Sequence, residues 1–246
     1  MKEKYAVEKV YENVKVEEGI YKLTIKGNFK VKPGQFYLLR AWDIEPTLSR
    51  PISVHDVDDE KISFLYSVVG KGTKILSELK NGDEIKITGP LGNGFDTEKI
   101  KGKIAVICGG IGIAPMVYLV KSLKNCTIDF YAGFKTVNKT VDYVEKYVNN
   151  LKISTEDGSV GTKGYVTDIL EPEKYDLVLC CGPEIMMYKV IKMCQEKDVP
   201  VYVSMEKKMA CGIGACLVCT CKTRSGRKRT CKEGPVFLGS ELILND

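Results

Sequence analysis

The sequence predicts a multi-domain chain: an antiparallel β-barrel over residues 1–98, an α/β doubly wound parallel sheet over 99–205, and a small cysteine-rich C-terminal unit over 206–246. Three observations predict it. Short strand-like runs separated by turn signals fill the first part, strands alternate with helical periodicity in the second, and half of the ten cysteines fall in the last. At 246 residues the chain is long enough for two ordinary domains and an appendage.

In the first part, candidate strands lie at 5–16, 20–25, 36–41, 52–54, 62–68 and 84–87, with one short helix over 74–80. Glu18-Gly19, Gly27-Asn28, Pro33-Gly34 and Asn81-Gly82 punctuate them. Six strands at this spacing suit a small barrel. From about residue 102 an apolar strand, 103–108, leads to a helix over 114–123. Further strands are expected at 127–131, 151–154, 175–180 and 201–204, with helical segments near 140–148, 166–170 and 184–196. That alternation implies a parallel sheet covered on both faces. Residues 206–246 show little apolar periodicity, and a 41-residue unit struggles to bury enough surface without a metal.

Composition narrows the chemistry. Hydrophobic content of 44% and charged content of 28% fit a water-soluble globular protein. Residues 104–120 carry no charge but include Gly109, Gly110, Gly112 and Pro115, so a buried strand and glycine turn explain them better than a membrane span. The start, MKEKYAVEKV, lacks the apolar core of a secretory signal. Ten cysteines without such a signal point to a reducing, cytoplasmic setting and to metal or redox chemistry. The single histidine, His55, excludes a Rieske centre and Cys2His2 zinc sites, and leaves one candidate for any Ser–His–Asp triad or Cys3His site. Its position just after Arg50–Ser53 places it beside whatever that strand binds, unless it is an ordinary core or surface histidine. The net charge is +5, and residues 206–246 hold eight basic against four acidic residues. Aromatics that would stack on bases are nearly absent there, so 224–229 reads as a solvated basic loop, not a nucleic-acid surface.

Cys211, Cys216, Cys219 and Cys231 follow C-x4-C-x2-C…C, the plant-type ferredoxin spacing for a [2Fe–2S] cluster. Glycines between the first two let a loop wrap a cluster and aim N–H groups at its sulfides. A structural zinc site is the competing reading, but zinc ribbons pair two C-x2-C knuckles and only one is present. Cys221 is a fifth candidate and a spectator to a four-ligand cluster. Cys126 and Cys194 read as small buried hydrophobes.

Glycine turns supply the second chemical signal. Arg50-Pro51-Ile52-Ser53 opens a barrel strand, and Gly70-Lys71-Gly72-Thr73 opens the short helix with Thr73 as its cap. Such a helix start accepts phosphate, and Arg50 is able to pair the same pyrophosphate bidentately. Cys108-Gly109-Gly110-Ile111-Gly112-Ile113-Ala114-Pro115 follows the first strand of the second part, with Pro115 suited to the start of a helix. It departs from the strict dinucleotide fingerprint, and no acidic residue ends the next strand, where Tyr131-Ala132-Gly133-Phe134 stands. Cys180-Cys181-Gly182-Pro183 repeats the strand–turn–helix pattern and puts Cys181 at the carboxyl end of the sheet. Glu156 and Asp157 follow the 151–154 strand, and no arginine lies between Arg50 and Arg224. Two carboxylates suit ribose hydroxyls and repel a 2′-phosphate, which favours NAD over NADP; Lys135 and Lys163 are the nearby cations that oppose this.

With these motifs in this order, the whole chain resembles the ferredoxin-reductase superfamily. The added tail resembles one family within it, the electron-transfer subunits of NAD-dependent class B dihydroorotate dehydrogenases. By that resemblance Arg50, Pro51, Ile52, Ser53, Leu65, Tyr66, Ser67, Gly72 and Thr73 bind FAD, with Ser53 near the reactive edge of the flavin. Gly109, Gly110, Gly112, Pro115, Cys181, Gly182 and Pro183 hold the nicotinamide nucleotide. The implied partner is an FMN-containing dihydroorotate dehydrogenase catalytic subunit, in a heterotetramer of two copies of each chain, serving pyrimidine biosynthesis. A related branch, the small subunit of NADH-dependent ferredoxin:NADP oxidoreductase, tends to carry aspartate where Cys211 stands here. It is the alternative, along with sulfhydrogenase-type subunits.

Overall fold

A computed structural model describes residues 4–243. Lys2, Glu3 and Asp246, counted above, lie outside the described residues. The barrel comprises β1 (Lys4–Glu17), β2 (Ile20–Lys26), β3 (Phe36–Arg40), β4 (Arg50–Ser53), β5 (Asp56–Val57), β6 (Lys61–Ser67) and β7 (Glu84–Leu91) in the order β4-β3-β7-β1-β2-β6-β5. Every pairing among them is antiparallel. The long β1 makes this possible by serving two neighbours: Lys4–Lys9 pair with β7, and Val10–Glu17 pair with β2. Register shifts between Val10 and Glu12 bend it at the changeover. Alternating residues such as Leu23, Ile25, Ile62, Phe64, Ile85 and Ile87 fill the interior.

The short helix α1 is Lys71–Ser77, beginning three residues earlier than the sequence predicts. Gly70, not Thr73, is its N-cap, and Thr73 reaches back to accept the N–H groups of Val69 (2.9 Å) and Gly70 (3.1 Å). Leu76 of α1 is fully buried in the barrel core, and Asn13 of β1 donates to the Leu76 and Leu79 carbonyls at 2.9 and 3.1 Å.

The second sheet runs β11 (Thr162–Lys163), β10 (Asn150–Thr155), β9 (Cys126–Phe134), β8 (Gly102–Gly109), β12 (Leu177–Cys181), β13 (Val201–Ser204) and β16 (Val236–Leu238). All are parallel except β16. Ile104, Val106 and Cys108 of β8 face the core under α2 (Ile113–Ser122), while Ala105 and Ile107 face the core under α3 (Glu184–Glu196). Helix on both faces is the doubly wound arrangement. The helices expected near 140–148 and 166–170 are instead tight 3₁₀ turns, at Lys139–Tyr143, Glu145–Tyr147 and Val166–Asp168. Both stretches are rich in β-branched residues (Thr140, Val141, Val144; Val166, Thr167), which resist α-helix, and Pro172 closes off the second.

The tail is fastened to both bodies. Its hairpin, β14 (Thr220–Thr223) with β15 (Gly226–Arg229), stands alone, whereas β16 pairs antiparallel with β13, Tyr202 opposite Leu238 and Ser204 opposite Val236. Met209, Cys219 and Cys231 pack with Phe36, Leu38 and Leu91 of the barrel. No helix among the described residues is long and apolar enough to cross a membrane.

Candidate redox site

Three chain segments converge on one cavity of about 340 Å³. The barrel contributes Arg50, Pro51, Ile52 and Ser53 from β4, Leu65, Tyr66 and Ser67 from β6, and Thr73 from α1. Gly72 lies beneath Arg50: a Cβ there would stand 2.5 Å from the guanidinium, so a side chain at 72 would make the arginine shift. Arg50 also stacks over Trp42 at 5.4 Å and donates to the Leu48 carbonyl. No carboxylate pairs with it among the described residues, so its charge is available to an anion. The opposite wall comes from Ile111, Ala114 and Pro115, the turn after β8. Pro115 thus borders this cavity, although the sequence grouped it with the nucleotide turn.

The third wall was not apparent from sequence: Ser204, Met205, Glu206, Lys207, Met209 and Pro235. Met209 and Pro235 belong to the cysteine motifs of the tail, the others to no motif, and the pairing of β16 with β13 sets Pro235 beside Met205. Lys207 is held by Glu184 of α3 at 2.7 Å, and Glu184 also accepts the Tyr188 hydroxyl.

A second groove, about 500 Å³, opens on the other side of the 109–115 turn. Gly109, Gly110, Glu156 and Pro183 line it, as the sequence expects. So do Phe134, Lys135, Tyr165, Thr167, Ile185, Met186 and Lys189, which lie on segments with no recognisable fingerprint. Ser154 lines it too, and its buried hydroxyl has no partner among the described residues. Cys181, Gly112 and Gly182 are not on the groove wall. Cys181 is 1% exposed, and burial pushes its thiol well above the ordinary range. Gly112 and Gly182 let the two turns touch: a Cβ on Gly112 would meet the Cys181 carbonyl oxygen at 2.4 Å, and one on Gly182 the Gly109 nitrogen at 2.8 Å. Asp157 is occupied in its own loop, accepting the Ser159 N–H at 2.9 Å, and Ser159 donors hold its carboxyl down at about 2.

The cysteines form two neighbouring pairs. The Ala215 and Cys216 N–H groups point at the Cys211 sulfur from 3.3 and 3.4 Å. Desolvation opposes ionisation of Cys211, but these donors, with the Cys216 thiol and the Ile213 N–H, outweigh it and bring the thiol to about 6. Cys231 donates its N–H to the Cys219 sulfur at 3.5 Å. Burial, then the adjoining Cys219, pushes the Cys231 thiol up to about 12. Gly212, Gly214 and Leu217 adopt positive φ (71°, 86° and 61°), which curls the loop around the sulfurs. No group of three or more His, Cys, Asp or Glu among the described residues is placed to hold a metal ion. The four thiols lie in two pairs, and a two-iron cluster would take two thiolates on each iron. Cys221 stands apart in the hairpin, its thiol directed at the Lys228 carbonyl.

A barrel cavity with an unpaired arginine, a glycine-turn groove at the carboxyl end of a parallel sheet, and a four-cysteine loop define an NAD-linked oxidoreductase with FAD and a [2Fe–2S] cluster. Comparison with known proteins agrees. Residues 206–243 match the family model for the iron-sulfur cluster binding domain of dihydroorotate dehydrogenase B. The chain is 81% identical over 246 residues, the whole of both chains, to the dihydroorotate dehydrogenase B (NAD(+)) electron transfer subunit of Clostridium acetobutylicum. It is 53% identical over 238 residues to that of Clostridium perfringens, covering 95% of this chain and 96% of the relative. Among solved structures it resembles the NADH-dependent reduced ferredoxin-NADP oxidoreductase, with TM-score 0.84, 29% identity, and coverage of 97% and 90% of the two chains. The chain belongs to the family of dihydroorotate dehydrogenase B (NAD(+)) electron transfer subunits.

Proposed function

We propose that this chain passes electrons from an FMN-containing dihydroorotate dehydrogenase catalytic subunit, by way of its cluster and FAD, to NAD⁺. The observation that carries the relay is shared structure: Phe36 and Met209 belong both to the cavity under Arg50 and to the apolar nest around Cys219 and Cys231. A flavin exchanges two electrons with a nicotinamide and one with an iron–sulfur cluster, which is the chemistry such a relay requires. In this reading Arg50 pairs the pyrophosphate, Pro51–Ser53 and Leu65–Ser67 cradle the isoalloxazine, and Gly109–Gly110 with Pro183 receive the nicotinamide nucleotide. Glu156 and Ser154 face the adenosine ribose. Cys211, Cys216, Cys219 and Cys231 hold the cluster.

Among the described residues no histidine is free to act as a base on dihydroorotate. The chain's one histidine is buried and engaged with the Ala114 carbonyl. In this reading the partner supplies that chemistry, and the family resemblance suggests a cytoplasmic heterotetramer of two copies of each chain. Around the more exposed cysteine pair, Ile213, Leu217 and Val218 are 47%, 60% and 55% exposed, an apolar rim suited to a docked protein. The test is reconstitution. Alone, the chain should oxidise NADH with artificial acceptors and leave dihydroorotate untouched. Mixed with the catalytic subunit it should confer dihydroorotate-dependent NAD⁺ reduction. Coupling to a ferredoxin or hydrogenase subunit instead would overturn the assignment.

A further inference from the structure

The two bodies meet along one face of α2. β4 ends at Ser53, after which the Val54 N–H donates to the Gln35 carbonyl (3.0 Å) and the His55 N–H to the Ser63 carbonyl (2.9 Å). The backbone of His55 therefore belongs to the barrel. Its side chain does not: Nδ1 lies 3.0 Å from the carbonyl oxygen of Ala114, in the first turn of α2. A carbonyl only accepts, so Nδ1 carries the proton and donates it. The ring is 2% exposed and packs edge-on against Tyr143, 4.9 Å between centroids. Two more ties leave the same helix face, since 114, 118 and 121 recur at helical spacing. The Tyr118 hydroxyl donates to the Val31 carbonyl at 3.1 Å, and Lys121 pairs with Asp56 at 2.5 Å. Only the His55 contact touches the cavity wall, because Ser53 and Ala114 border the same cavity from opposite sides.

We propose that His55 is a positioning residue: by holding the Ala114 carbonyl it fixes the 109–115 turn against β4, and so sets how closely a nicotinamide held by that turn meets a flavin held by that strand. This rests on the site assignments made above. When NADH reduces the flavin, a hydride moves as one proton and two electrons, a C–H bond on the nicotinamide breaking and an N–H bond on the flavin forming. Such transfer needs reacting atoms about 3–3.5 Å apart, and a 1 Å misplacement costs roughly a hundredfold. A contact that locks the two walls of the cavity together governs that separation without touching either ring.

The test uses the full chain with its flavin and cluster, as wild type, His55→Ala, His55→Phe and His55→Asn. Asparagine puts an N–H near the place of Nδ1, whereas phenylalanine keeps the ring and removes the donor. Flavin content, NAD⁺ affinity, anaerobic single-turnover flavin reduction by NADH, and amide exchange over 113–118 are measured. The Ala and Phe variants should retain stoichiometric flavin and bind NAD⁺ within about twofold. They should reduce flavin roughly 10- to 100-fold more slowly and exchange faster over 113–118. The Asn variant should recover most of the rate. Wild-type rates in both Ala and Phe overturn the proposal, and so does an Asn variant as slow as Phe. Should Ala fail to fold, the Phe–Asn pair decides alone. A wild-type chain whose flavin NADH does not reduce contradicts instead the site assignments beneath the proposal.

Discussion

Cys211, Cys216, Cys219 and Cys231 differ in surroundings but not in expected necessity. Cys219 and Cys231 are 2% exposed, while Cys216 is exposed at the surface. Serine at any one of the four should abolish or badly disturb the cluster, whereas Cys221→Ser should leave it intact. Electron paramagnetic resonance of the reduced proteins reads this directly: an unchanged signal in Cys216→Ser, or none in Cys221→Ser, contradicts the ligand set. Arg50→Ala should release FAD, since it leaves a pyrophosphate charge without its partner. For a half-buried arginine the loss should be on the order of 2 kcal/mol, about thirtyfold in affinity. Stoichiometric flavin after dialysis of the variant would exclude Arg50 as a phosphate ligand. His55 carries a pH signature. Burial, with Lys22 and Lys121 assisting, lowers its pKa to about 4 against the Ala114 contact and Asp56, which favour the charged form. Between about 6.5 and 4 the unfolded chain therefore binds more protons than the folded one. The stability this residue contributes is present above that window and is lost as pH falls through it, by about 3 kcal/mol. Denaturant unfolding at pH 7 and pH 5 should show a smaller loss in His55→Asn than in wild type; equal losses would refute the assignment.

At the scale of elements, the regular strands and the long helix α3 were legible because their periodicity is strong. β13 and α3 have the ends expected from sequence, Val201–Ser204 and Glu184–Glu196. What escaped was short or irregular. β5 and β11 are two residues long, and the three residues of β16 have no partner in their own segment to reveal a pattern. The nucleotide groove shows the same limit. Gly109, Gly110 and Pro183 were apparent, but Phe134, Tyr165 and Ile185 reach the groove only through the stacking of β9, a 3₁₀ turn and α3. We place the nucleotide preference in the loop after β10. Glu156 faces the groove with Lys135 nearby, and Lys189 is already paired with Asp168 at 2.7 Å. NADH should therefore reduce the bound flavin at least about tenfold more efficiently than NADPH, one unfavourable charge contact being worth roughly 1.4 kcal/mol. Comparable single-turnover rates with the two nucleotides would contradict this.

At the scale of the whole molecule, the three-part order was evident from sequence while the way the parts interlock was not. The spacing of the cysteines announces a cluster, yet nothing local indicates that Met209 and Phe36 join its nest to the flavin-side cavity, or that β16 ties the tail to the parallel sheet. Those contacts depend on tertiary approach. If they carry the relay, electrons from the partner should reach the FAD of this chain through the cysteine loop and by no shorter route. The direct measurement is anaerobic mixing of the assembled complex with dihydroorotate, following flavin absorbance for wild type and for a Cys219→Ser chain shown to retain FAD and to bind the partner. Both flavins should bleach in the wild-type complex, whereas only the partner's FMN should do so in the variant. FAD reduction at the wild-type rate without the cluster would contradict that route.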